Sequence, residues 1–143
     1  MVNLNQRFDT AQQSIASFKE ALDDFALLVK QDSYTQKEYR KNRDSLVKRF
    51  ELSVDTLWKY LKFYLEARAG VVHNTPKAVF RECLKAQILN EQETAFALKM
   101  IDNRNDAVHI YRELIAEQLV EQLPLFYQLM NKLITKALPM EQV

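Results

Sequence analysis

A single glycine and three prolines in 143 residues leave almost none of the turn chemistry that β-hairpins need. The chain therefore runs uninterrupted over long stretches, which suits helices and disfavours a sheet. One cysteine, Cys83, excludes an internal disulfide, and with only two histidines beside it no convincing zinc set can form. No metal and no cofactor are expected. No apolar run approaches the ~20 residues of a membrane span, and the opening "MVNLNQRFDTAQQ" lacks the basic-then-apolar pattern of a leader. The expectation is a cytoplasmic protein without a membrane partner. Strong charge of one sign is missing too: 20 Lys and Arg against 19 Asp and Glu leave +1, so a nucleic-acid partner would have to be met by a local feature.

What is present is apolar content at helical spacing. Hydrophobic residues make up 48% of the chain and charged ones 27%, enough for a real core in one domain over residues 1–143, with the core at about 4–138. Leu4, Phe8, Ala11, Ile15, Phe18, Leu22, Phe25 and Val29 recur at steps of three and four, one stripe along a first helix. Thr35 with Glu38 makes a capping box for a second helix. Its stripe runs through Tyr39, Leu46, Phe50, Val54, Leu57, Leu61 and Leu65, and Gly70 stands where a left-handed cap is expected. Thr75 and Pro76 open a short helix to about Lys85. Asn90 with Glu93 opens a fourth, with the stripe Ala95, Leu98, Ile101, Val108, Ile115 and Leu119, and Pro124 marks the start of a last helix, Leu125 to Leu138. The expected fold is all-α, an up-and-down four-helix bundle with an extra short helix.

Within the fourth helix, "RNDAVHIY" (104–111) departs from a plain amphipathic pattern. At 100° per residue, Asn105, His109 and Arg112 share one face and Arg104 and Tyr111 another, while Arg104 and His109 point roughly 140° apart. Closing them into one site needs a bend near "DNRND", whose Asp and Asn residues are poor helix formers, or a second copy across a two-fold axis. Such a cleft has usable chemistry. Histidine passes protons near neutral pH and the planar Arg fork suits a phosphodiester, so His acting on a ribose 2′-hydroxyl with Arg against the phosphate is a metal-free route to RNA cleavage. Polar groups on a bundle face can also serve only to fix a dimer register.

Arg104-Asn105-x3-His109-x-Tyr111 resembles the Arg-x4-His-x-Tyr signature of the HEPN superfamily. The closer resemblance is to its branch of small proteins encoded beside minimal nucleotidyltransferases, long labelled nucleotidyltransferase substrate-binding proteins. "RFELSVDTLWKYLKFYLE" (49–66) is similar to that family's second helix, "TPKAVFRECLKAQIL" (75–89) to its short third, and "QLPLFYQLM" to its last-helix start; together they cover roughly residues 5 to 135. The resemblance implies a homodimer through the motif helix, with two motifs facing one cleft. It also implies a toxin of a toxin–antitoxin pair, a metal-independent endoribonuclease with Arg104 and His109 as the catalytic pair. Asn105 and Arg112 would support them, and Tyr111 would be both a site residue and the target of adenylylation by a partner nucleotidyltransferase. The alternative it leaves is a non-catalytic substrate-binding subunit of that nucleotidyltransferase. The departure is Asp106 in "DAV", where relatives often carry a small hydroxyl residue before the His; it adds a negative charge near any RNA.

Four further features have a functional and a plainer reading. "KEYRKNRDSLVKR" (37–49) carries six Lys or Arg against two acids, able to meet RNA or an acidic partner, though a solvated helix face explains it as well. His73 in "VVHNTP" either lines a cleft or is simply exposed, and Cys83 is expected to be a small buried residue. Trp58, Tyr60, Phe63 and Tyr64 offer either a stacking platform or core, with core preferred at this spacing.

Overall fold

The computed structural model describes residues 3–107 and 113–139. These form helices and connections, with no strand among the described residues: α1 (Leu4–Gln31), α2 (Gln36–Ala69), α3 (Pro76–Lys85), α4 (Glu91–Asp106) and α5 (Glu113–Lys136). The starts of α2, α3 and α4 and the end of α2 are those the caps dictate. Glu38 N–H donates to the Thr35 hydroxyl while Thr35 N–H donates to the Glu38 carboxylate, and Asn90 and Glu93 repeat the exchange at 2.7 and 2.9 Å. Pro76 fills the first turn of α3 behind Thr75, and Gly70 closes α2 at φ 68°.

Ring contacts fix the directions. Phe8 meets Tyr60, Phe18 meets Phe50 and Phe25 meets Tyr39, so α1 and α2 are antiparallel. Arg43 pairs with Glu113 at the start of α5, while the Tyr60 hydroxyl donates to the Ala137 carbonyl just past its end, so α5 runs parallel to α2. Lys132 near the end of α5 bonds Glu93 near the start of α4, which makes those two antiparallel. The four long helices thus alternate up and down, with α3 inserted between α2 and α4. Phe18, Phe50, Leu57, Tyr60, Phe126 and Met130 fill the centre with no more than trace exposure.

Three expectations are corrected. Pro124 does not begin the last helix; it sits inside α5. It removes a backbone donor at a cost of ~3 kcal/mol. Burying Leu119, Leu123, Phe126, Leu129 and Met130, each worth about 2 kcal/mol, outweighs that loss. The fourth helix ends at Asp106 instead of continuing to Leu119. Asp102, Asn103, Asn105 and Asp106 crowd its last turn, the Asn103 amide donates to the Lys99 carbonyl at 3.1 Å, and Ala107 caps the end. Finally, the inner face of α4 is Thr94, Ala97, Met100 and Ile101, whereas Ala95 faces solvent. The Thr94 hydroxyl is accommodated there by donating to the Asn90 carbonyl at 2.8 Å. Val108 lies outside the described residues.

Candidate functional site

Arg104 occupies the last turn of α4, where its side chain leaves the bundle toward α2. Its Nη2 donates to Asp55 Oδ1 at 3.3 Å and its Nη1 to the side-chain oxygen of the neighbouring Asn105 at 3.2 Å. The Arg104 side chain is one third exposed, so it is aimed by Asp55 yet still reachable from solvent. Asp55 in turn accepts from Trp58 Nε1 at 3.3 Å and from Lys59 Nζ at 3.1 Å, its neighbours three and four positions along the same face of α2. One half-buried carboxylate therefore holds an arginine from another helix, a lysine and an indole.

Asp55 was not singled out by sequence reasoning. Its spacing to Trp58 and Lys59 was visible, but its bond to Arg104 spans 49 positions and no local pattern announces it. Arg104 and Asn105, set on different faces by ideal helical spacing, are joined by the bond between their side chains. His109, Tyr111 and Arg112 lie outside the described residues.

The chain re-enters the described structure at Glu113, which is also tied to α2. Arg43 Nη1 donates to Glu113 at 2.7 Å and to Glu117 at 3.3 Å, and its Nε reaches Asp44 at 3.2 Å. Only 3% of the Arg43 side chain is exposed. The Tyr39 hydroxyl donates to both carboxylate oxygens of Glu117 at 2.6 and 2.8 Å; burial first, and then this bond, push its pKa up to about 12. The hydrogen bond from Arg43, with its charge, holds the exposed Glu113 carboxyl below its ordinary range. The basic segment 37–49 thus directs its one buried cation at α5, with Arg40 3.8 Å from Glu113 beside it; Arg49 caps the Ser17 carbonyl.

The other candidates settle into structural roles. His73 Nε2 stands 2.9 Å from Glu82 and pins the α2–α3 loop onto α3. Cys83 is fully buried, and burial pushes its thiol up to about 12, so it stays protonated and unreactive at neutral pH. Tyr60 and Tyr64 are core, and Trp58 and Phe63 are half-buried against it. Among the described residues, no group of three or more His, Cys, Asp or Glu stands close enough to hold a metal ion. No helix of the described residues is long and apolar enough to cross a membrane.

Compared with known proteins, residues 6–138 match the family described as nucleotidyltransferase substrate binding protein like. No curated protein matches the chain. A crystal structure of a protein from Thermus thermophilus is similar at 28% identity and a TM-score of 0.70, over 85% of this chain and 99% of that one.

Proposed function

We propose, from the premise that the chain belongs to the nucleotidyltransferase substrate binding protein like family, that it is a HEPN-type toxin. In this reading it is a metal-independent endoribonuclease controlled by a minimal nucleotidyltransferase. The observation that carries the reading is Arg104: a cation held in place by a carboxylate from α2, with a third of its surface left for a phosphate. Two protomers meet through the motif helix, so that two sets of Arg104 and His109 line one cleft. His109 takes the proton of a ribose 2′-hydroxyl as its oxygen attacks phosphorus. The 5′-oxygen leaves with a proton from the second protomer's imidazole, giving a 2′,3′-cyclic phosphate and a 5′-hydroxyl. Arg104 offsets the charge that builds on the phosphate, Asn105 and Arg112 support the pair, and adenylylation of Tyr111 by the partner fills the cleft and stops cleavage.

The test is incubation of purified protein with mixed RNA in EDTA. Cleavage by wild type and none by His109→Ala is the expected result; equal cleavage by both removes the catalytic assignment. Tyr111→Phe should cleave RNA and take no label from ATP and the nucleotidyltransferase, and a labelled Phe variant would refute the tyrosine's role.

The family match itself favours a second reading, a non-catalytic subunit that presents a substrate to the nucleotidyltransferase. It shares the dimer and the partner and predicts no cleavage by any variant.

A further inference from the structure

Asp55 has a second neighbourhood besides Arg104. Between α1 and α2 it forms one wall of a cavity of about 140 Å³, together with Arg7, Thr10, Thr56 and Lys59. Arg7 and Thr10 stand three apart on α1, and Asp55 and Lys59 four apart on α2, so each helix offers one face to the same space. Arg7 lies over the Phe63 ring, 4.3 Å from its centre, and among the described residues it has no carboxylate partner. Phe63 thus holds the guanidinium in place without neutralising it.

The charge balance is lopsided. Arg7 and Lys59 line the niche with one carboxylate, a surplus of one positive charge, and Arg104, bonded to that same carboxylate, adds a further cation beside it, in a chain whose total is +1. The larger depression elsewhere, about 510 Å³ between the α3–α4 turn and the end of α5, shows the contrast: its Lys132 and Lys136 are balanced by Glu91 and Glu93. A volume of about 140 Å³ equals roughly five waters at ~30 Å³ each, room for a phosphate group and no folded partner.

We infer that this niche seats a backbone phosphate of single-stranded RNA, next along the strand from the phosphate at Arg104. The inference rests on the RNA reading above and adds to it a positioning site that the motif does not contain. An extended strand along the α1–α2 groove presents one phosphate to Arg7 and Lys59 and the adjacent one to Arg104, with Asp55 between them keeping the three cations apart. A site for one phosphate contributes affinity and register without base specificity.

The test uses the full chain carrying His109→Ala, so that RNA stays intact, and a fluorescent single-stranded RNA of mixed sequence between about 50 and 200 mM salt. Arg7→Gln with Lys59→Gln should weaken binding and reduce the slope of log Kd against log salt by ~0.7, one single-strand phosphate contact. Asp55→Asn, which removes the negative charge and one of the two acceptor oxygens, should tighten binding. On the catalytic background, the double Gln variant should raise KM and keep kcat. An unchanged Kd and slope in the double variant, with its helical circular dichroism intact, overturns the niche while leaving His109-dependent cleavage standing. Loss of nucleotidyltransferase capture alone overturns it equally, because the niche then faces an acidic protein. Absence of RNA binding and of cleavage in wild type overturns the RNA reading and the niche together.

Discussion

The stretch from Arg104 to Glu113 is tied to α2 at both ends, and the two ties are opposites. Asp55 and Arg43, their α2 anchors, lie twelve residues apart, ~18 Å along the helix. At Arg43 a buried cation is surrounded by Glu113, Glu117 and Asp44, so its charge is more than balanced by acids. At Asp55 one carboxylate bonds two cations and shares a cavity with a third, which has no acid partner among the described residues. The same residue types thus make a clamp in one place and, in the reading proposed above, a seat for an anion in the other, and what separates them is the sign left over.

The sharpest break in that comparison comes from removing each arginine. Arg104→Ala should lower RNA cleavage by ~10²–10³-fold, the usual scale for losing one donor to a developing oxyanion, while the melting temperature hardly moves. Arg43→Met should do the reverse. Losing its charge-assisted hydrogen bonds removes about 2 kcal/mol, or roughly 5 °C of melting temperature in a domain of this size, with cleavage at room temperature close to wild type. Thermal melts and a cleavage assay on both variants check the pair.

A smaller effect probes the Arg43 tie by pH. The folded Glu113 carboxyl is depressed below its unfolded value, so its contribution is present above that value and is lost as pH falls through the folded one. Tyr39 is raised to about 12 from an unfolded value near ~10, so its contribution is present below ~10 and is lost as pH rises toward about 12. Melts across pH should therefore show an acid arm that flattens in Arg43→Met and an alkaline arm that flattens in Tyr39→Phe. A wild-type curve level from about pH 10 to about 12 would contradict the Tyr39–Glu117 bond. Smallest of all, Arg40→Ala should leave melting temperature and cleavage within measurement error, because its 3.8 Å approach to Glu113 is between two exposed side chains.

The sequence carried three helix starts and one end because caps are local: Thr35, Thr75 and Asn90 open helices and Gly70 closes one, each announced within four residues. It misplaced Pro124, since a local breaker says nothing of the five buried side chains that hold α5 through it. It set the α4 stripe one residue off, at Ala95, because the threonine that faces inward satisfies its hydroxyl on its own helix. Arg104 and Asn105 were legible as an odd polar pair. Asp55 and the true use of Arg43 were not, as each meets its partner on another helix 49 or more positions away.

The most direct measurement is the rate of RNA cleavage in EDTA by wild type, Arg104→Ala and Arg43→Met, at a temperature where all three are folded. Wild type and Arg43→Met should cleave, and Arg104→Ala should lose nearly all activity. Cleavage by Arg104→Ala at the wild-type rate would contradict the proposed site, because the cation at Asp55 would then have no part in the chemistry.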